Sequence, residues 1–359
     1  MASKKPANKP NDIEFDDLVV NVCYHPSKDL IAIGSINGDV DLYTYKIDGE
    51  NKLENTYKHH KKSCRALKFN PSGNCLITAS KDKSIKCCDL DTGQLKNKIK
   101  AAHESPIYCL LVSDENIIAT GDDDGRIKVW DLRKSKSICE FKENDEYISD
   151  MVVDSSKRTL LSTSGEGTLT AFDIRKRRMT VQSEVFDSEL QCLAIVKGER
   201  KVVCGSGDGA LNIFNWNEWG LNSDLFPGHT DAVDCLVPIN RNIVCTGSSD
   251  GIIRGVNILP NSFMGIIGEH DGFPIEGLSL SHDRCLLASC SHDQCVKFWN
   301  IEKLEKLKIN KKRVTKYKTK KLFSRDENFF ADINKDVTQE EEEECEEDDE
   351  DDDSDSDSD

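Results

Sequence analysis

Eight histidines and sixty-five Asp and Glu residues in a chain of 359 could build acid–base chemistry, so their spacing is read first. His60, His103, His229 and His270 each precede a turn acid by a similar interval, namely Asp82, Asp124, Asp250 and Asp293. A general base must come within hydrogen-bond reach of a substrate proton. His25, His59, His282 and His292 stand isolated among loop residues. No Cys-x-x-Cys pair and no metal-ligand spacing joins these residues. The Gly-rich stretches at 205–209 and 247–251 lead from strand to strand, so they lack the strand-to-helix context of a nucleotide loop. No catalytic residue, cofactor or metal is expected.

The elements that position the repeated His and Asp are copies of one hairpin. Gly121 to Arg133 reads Gly-Asp-Asp-Asp-Gly-Arg-Ile-Lys-Val-Trp-Asp-Leu-Arg, an Asp-Gly turn between a small-residue strand and an alternating one. Equivalent turn residues are Asn37, Asp82, Asp124, Glu166, Asp208, Asp250 and Asp293, each about 40–45 residues after the last. Three residues past each turn residue the side chain is aliphatic: Val40, Ile85, Ile127, Leu169, Leu211, Ile253 and Val296. Six past it stand Tyr43, Cys88, Trp130, Phe172, Phe214, Val256 and Trp299. Seven strand-rich units of this length predict an all-β, seven-bladed propeller.

On these residues the chain resembles the WD-repeat (WD40) family over about residues 12–309. The resemblance implies blades locked by a His, a Ser or Thr, the turn Asp and a Trp: His103, Thr120, Asp124 and Trp130 in blade three, His270, Ser289, Asp293 and Trp299 in blade seven. Blade two keeps His60, Thr78 and Asp82 but ends in Cys88; blade six keeps His229, Thr246 and Asp250 but ends in Val256. Blades four and five lack the His and offer Asn144 or Asp145, and Asp187, in its place.

Residues 1–11 are expected to be a disordered arm, 12–309 the propeller, 310–339 a basic linker and 340–359 an acidic disordered tail. Two segments compete to close the ring, Asp12 to Leu18 and Ile301 to Ile309. The formal charge is −17, but 340–359 hold sixteen acids and no base, which leaves residues 1–339 near −1. From Lys306 to Lys321 nine of sixteen residues are Lys or Arg. Lys311, Lys312, Arg313, Lys320 and Lys321 in that run read as a nuclear address and a phosphate-binding strip. Phe329 and Phe330, adjacent in a polar segment, suit docking on this propeller or on another protein. The fifteen cysteines read as small buried hydrophobes. Nothing at the N-terminus has the pattern of a signal peptide, and no stretch is long and apolar enough for a membrane span.

A propeller is a rigid disc with two faces. Lys81, Asp123, Ser249 and His292 are expected on one rim. Arg133 and Arg175, one repeat apart in Trp-Asp-Leu-Arg and Phe-Asp-Ile-Arg, are expected on the other. Trp216 and Trp219 follow the third strand of blade five, as partner anchors or as cover for the blade edge. The layout of divergent blades, lysine-rich segment, Phe-Phe-Ala and acidic end resembles the WD-repeat-containing protein 55 family. That resemblance implies a non-enzymatic scaffold in the nucleus and nucleolus, with the cytoplasm as a second location, serving ribosomal RNA synthesis or processing and cell-cycle progression. Its partners would be proteins on the propeller faces, with pre-ribosomal RNA or basic ribosomal proteins on the tails. The paired arginines resemble those of substrate receptors of cullin-RING ubiquitin ligases, the alternative reading, in which a ligase adaptor is the partner. A monomer with no membrane contact is expected.

Overall fold

The computed structural model describes residues 9–47, 49–134 and 136–305. Each repeat folds into a four-stranded antiparallel sheet, and there are seven. Blade one spans 19–57, blade two 66–99, blade three 107–142, blade four 148–182, blade five 190–226 and blade six 233–269. Blade seven joins 275–300 to the N-terminal strand Ile13–Glu14. The ring closes there, with Ile13 opposite Val296 and Glu14 opposite Cys295, and Phe15 N–H donating to Gln294 O at 2.9 Å. Closure of this kind removes the free strand edges of an open sheet. The competing strand at Ile301 to Ile309 does not form as expected: Glu302–Glu305 is a short helix, and 306–309 lie outside the described residues. Lys9 to Asn11, expected in the arm, rest on the disc. Pro10 is buried, Lys9 pairs with Asp12 at 2.9 Å and lies over the Trp299 ring, and Asn11 O accepts from Asn51.

Adjacent sheets pack face to face, so each apolar cluster belongs to two blades. Between blades three and four, Ile127, Val129 and Phe141 meet Ile148, Leu160 and Phe172, with the two Phe rings 4.6 Å apart. Burying a side chain of this size contributes about 1.5–3 kcal/mol. The aliphatic side chains three residues past each turn residue, which marked the repeat in the sequence, each lie in one of these clusters.

In six blades the first strand carries a bulge one residue after its start. The extra residue turns toward the ring axis. The displaced side chains are Val20, Tyr108, Ser149, Gln191, Asp234 and Glu276. Arg65 holds the matching place in blade two, and all seven line one central channel.

Behind the bulge, Cys109, Cys192 and Cys235 each face a glycine of the second strand: Gly121, Gly205 and Gly247. A Cβ on those glycines would stand 2.8, 2.7 and 2.6 Å from the sulfur. Blade seven exchanges the pair, with Gly277 on the first strand and Cys290 on the second. The Cys192 and Cys235 thiols donate across the blade boundary to Val233 O at 3.3 Å and Ile275 O at 3.4 Å. These cysteines fill space and tie blades, and no disulfide joins the described cysteines.

Candidate functional site

The repeated histidines are consumed in holding blades together. In blade seven the Trp299 indole N–H donates to Ser289 Oγ at 2.8 Å. The Ser289 hydroxyl donates to His270 Nε2 at 2.6 Å, and His270 Nδ1–H donates to Asp293 at 2.7 Å. A neutral imidazole satisfies every step, and burial lowers the His270 pKa accordingly.

Blade three builds the same chain with a correction. His103 Nδ1–H donates to Asp122 at 2.8 Å, not to the expected Asp124. Asp122 occupies the place where blades two and seven have Ser80 and Ser291. Its second oxygen accepts the N–H groups of Asp124 and Arg126, and Asp124 itself is exposed. An acid two residues earlier reaches the ring from a buried position, so the turn acid is released to solvent.

Blade two lacks the indole, and His59 replaces it. His59 Nε2 lies 3.2 Å from Thr78 Oγ1, the atom that also bonds His60 Nε2 at 2.9 Å, and Cys88 Sγ lies 3.8 Å from His59 Nδ1. Burial first, then the charges of His60 and Lys86, push His59 down to about 3; burial leads for His60, at about 4. In blade six Asp250 leaves His229 and pairs with Arg254 at 2.7 Å, while His229 Nδ1 turns to Gly209 O at 3.1 Å. Blade four uses Asn144, which donates to Glu166 at 2.5 Å, with Asp145 giving only its backbone N–H. In blade five Asp187 is exposed; Phe186 takes the position and packs on Phe214 at 5.9 Å.

The remaining histidines are also engaged. His25 Nδ1 accepts the N–H groups of Ser27 and Lys28, its Nε2–H donates to Gly73 O at 2.9 Å, and His292 lies 2.7 Å from Glu276. His282 is 3.9 Å from Asp29.

What the disc presents is a channel of about 870 Å³ opening at its axis. Lys81, Asp123, Ser249 and His292 stand at its rim. Each donates its backbone N–H to the carbonyl just before the first strand: Ser63 at 3.0 Å, Pro106 at 2.9 Å, Ala232 at 3.0 Å and Pro274 at 3.2 Å. The mouth is electrically divided. On the side of blades two and three, Arg65 pairs with Asp123 at 2.6 Å and lies over the Tyr108 ring at 5.1 Å. Tyr147 continues the aromatic arc at 4.9 Å from Tyr108, its hydroxyl donating to Glu189 at 2.8 Å. On the side of blades six and seven stand Asp234 and Glu276. Burial lifts Asp234 to about 6, with Glu276 adding to the rise and the Ser249 hydroxyl, donating at 2.7 Å, opposing it. Below them Asp150 is also raised by burial, and its carboxylate accepts Met151 N–H and Leu193 N–H.

The sequence reading missed this ring, although a signal existed. Each bulge residue lies sixteen or seventeen positions before its blade's turn residue, so the repeat alignment locates all seven.

On the opposite face Arg133 forms a two-pronged pair with Asp131, at 2.8 and 2.9 Å, and its side chain is 67% exposed. Arg175 is exposed, one blade on. Trp219, offered as a partner anchor, is only 4% exposed and belongs to the blade-five core with Phe214. Trp216 packs edge-on against it at 5.4 Å and is half-buried, so together they cover the blade edge. Lys311, Lys312, Arg313, Lys320, Lys321, Phe329 and Phe330 lie outside the described residues. Among the described residues no cluster of His, Cys, Asp and Glu could hold a metal ion, and no helix is long and apolar enough to cross a membrane.

The family model WDR55 matches residues 10–304, the whole ring just described. The chain belongs to the WDR55 family. The zebrafish (Danio rerio) WD repeat-containing protein 55 is 49% identical over 339 residues, covering 92% of this chain and 87% of the relative. The human relative of the same name is 40% identical over 344 residues, covering 92% and 90%. A homolog from Drosophila pseudoobscura pseudoobscura is 40% identical, covering 93% of this chain and 68% of that longer protein. As a WDR55-family member the chain is a WD-repeat propeller, a scaffold fold.

Proposed function

We propose that this chain is a non-enzymatic nucleolar scaffold that supports ribosomal RNA synthesis or processing, and through it cell-cycle progression. The observation that carries the reading is the division of labour in the structure. The described histidines are spent on blade locks, loop bonds or surface pairs, while the channel mouth offers charge and aromatic surface. Such a disc positions partners. The lysine run from 306 to 321 supplies sequence-independent affinity for RNA phosphates, and the acidic end suits exchange with basic ribosomal proteins.

The test replaces Lys311, Lys312, Arg313, Lys320 and Lys321 with Ala in the full chain and follows its location and the ratio of precursor to mature ribosomal RNA. Loss of nucleolar accumulation with a rise in precursor is expected. Unchanged location together with unchanged RNA ratios contradicts the reading.

A ligase-receptor role rests on Arg133 and Arg175 alone, and Arg133 is already held by Asp131, as a loop cap would be. Retention of ligase adaptor by a double Ala variant at these positions removes that role.

A further inference from the structure

Eleven arginines fall within the described residues, and their distribution is one-sided. Arg65, Arg126 and Arg254 lie on or near the channel-mouth side or within a blade, and each is bound to a carboxylate: Asp123 at 2.6 Å, Glu104 and Glu140 at 3.2 Å, and Asp250 at 2.7 Å. The other eight occur in or beside the loops that join first to second or third to fourth strands, all at the opposite end of the disc. Of these, Arg133 is held by Asp131 and Arg284 donates to Ile239 O. Arg158, Arg175, Arg177, Arg178, Arg200 and Arg241 are exposed and form no ion pair among the described residues.

These six sit on neighbouring blades whose loops are tied together. Lys157 pairs with Asp114 of blade three at 2.9 Å, and the Ser155 hydroxyl and N–H donate to Glu199 of blade five at 3.0 and 2.6 Å. Lys197 N–H donates to Arg241 O of blade six at 2.8 Å. The nearby acids are occupied locally. Asp154 accepts Arg158 N–H and Thr159 N–H, and Asp173 accepts Lys176 N–H.

Basic residues also hold positions in blade four where the backbone favours glycine. Blade two has Gly73 and Gly93 at φ 76° and 67°. Blade four has Lys157 and Arg177 at the same turn positions, at φ 55° and 53°. A left-handed conformation disfavours a side chain, so the charge is placed there against the local preference.

We infer that this arginine face, centred on blade four, binds the phosphate backbone of RNA. The inference rests on the RNA reading above and gives it a second contact, on the disc itself. Guanidinium groups match phosphate oxygens in a two-pronged geometry. A protein partner would need an apolar centre to its interface. Most of the large apolar side chains exposed on the disc lie elsewhere, at residues such as Val185, Leu225, Phe263 and Ile266; in these loops of blades three to five Leu221 of blade five is the one described, and the loops of blade four hold none. A polar, strongly positive surface is the form nucleic-acid interfaces take.

The test uses the full chain and a fluorescent single-stranded 20-nucleotide RNA, with anisotropy followed over a salt series. Changing Arg158, Arg175, Arg178 and Arg200 to Ala should lower the slope of log affinity against log salt by about 3, at roughly 0.7 per lost phosphate contact, with the urea midpoint unchanged. Arg177→Gly should weaken RNA binding while leaving the unfolding temperature unchanged or higher, which loss of fold cannot mimic. A companion variant neutralises Lys311, Lys312, Arg313, Lys320 and Lys321. If only that variant loses RNA, the arginine face is not an RNA site and the RNA reading stands without it. If the wild-type chain does not bind RNA at all, both fail. If a peptide of residues 340–359 displaces RNA from the face at equal charge concentration, the face is a site for acidic protein segments and the inference is overturned.

Discussion

Asp122 accepts the His103 Nδ1–H at 2.8 Å with both side chains fully out of solvent. The same carboxylate also receives two backbone N–H groups of the turn that follows, so one side chain fixes the blade lock and the hairpin together. Asp122→Asn should lower stability by about 1.5–3 kcal/mol, the range for a hydrogen bond to a charged group. Asp124→Asn should stay within about 0.5 kcal/mol, as surface changes do. Urea unfolding of the two variants side by side checks this, and equal losses would contradict the assignment.

Blade two predicts a reciprocal effect. His59 fills the space that Trp130 and Trp299 fill in their blades, against Thr78. Cys88→Trp alone should therefore overpack and cost about 1–3 kcal/mol. Combined with His59→Gly, the same Trp should recover most of that loss. The measurement is a double-mutant cycle by thermal unfolding, and simple additivity of the two changes would show that His59 does not occupy the tryptophan's place.

Gly205 has no room for a Cβ, because Cys192 Sγ and Val233 Cγ1 would each stand 2.7 Å away. Gly205→Ala should destabilise by about 1–3 kcal/mol. Exchanging the pair, Cys192→Gly with Gly205→Cys, copies the arrangement of Gly277 and Cys290 and should cost less than the single Ala. Chemical denaturation of both proteins decides it.

The blade count, the strand order and the core were legible because the hairpin repeats at a nearly constant interval and its apolar positions obey the stacking of sheets. The members of each lock were less so. Asp122, Asp123 and Asp124 are consecutive acids, and alignment by turn residue chooses the third while packing chooses the first. His59 beside His60 gave no local hint that one ring would replace an indole contributed by a different strand. Ring closure was open because two segments read as strands, and it was decided by Ile13 reaching Val296. The channel ring stayed hidden because a bulge places those residues, and a bulge leaves no period in the hydrophobic pattern. Trp219 stood open between a partner anchor and cover for the edge of blade five, and it packs into that blade's core.

Asp234 gives a pH-dependent prediction. Burial raises its folded pKa to about 6 from an ordinary value of 3.8. A raised carboxyl pKa means that the folded state holds the proton more tightly. Its cost to stability is therefore absent below pH 3.8, grows as pH rises, and is complete above about 6. Asp234→Asn should stabilise the protein at pH 7 by roughly 1–2 kcal/mol after allowance for partial solvent contact. The gain should shrink as pH falls toward 4. Unfolding midpoints of both proteins across that range check the sign, and a gain that grows on acidification contradicts it.

The scaffold account is tested most directly by ultraviolet crosslinking of the intact protein in cells, followed by affinity purification and mapping of the crosslinked peptides. The account predicts precursor ribosomal RNA and assembly factors in the purified material, with RNA crosslinks in the 306–321 segment. Purification without ribosomal RNA precursors or assembly factors, with a ubiquitin-ligase adaptor enriched in their place, would contradict it.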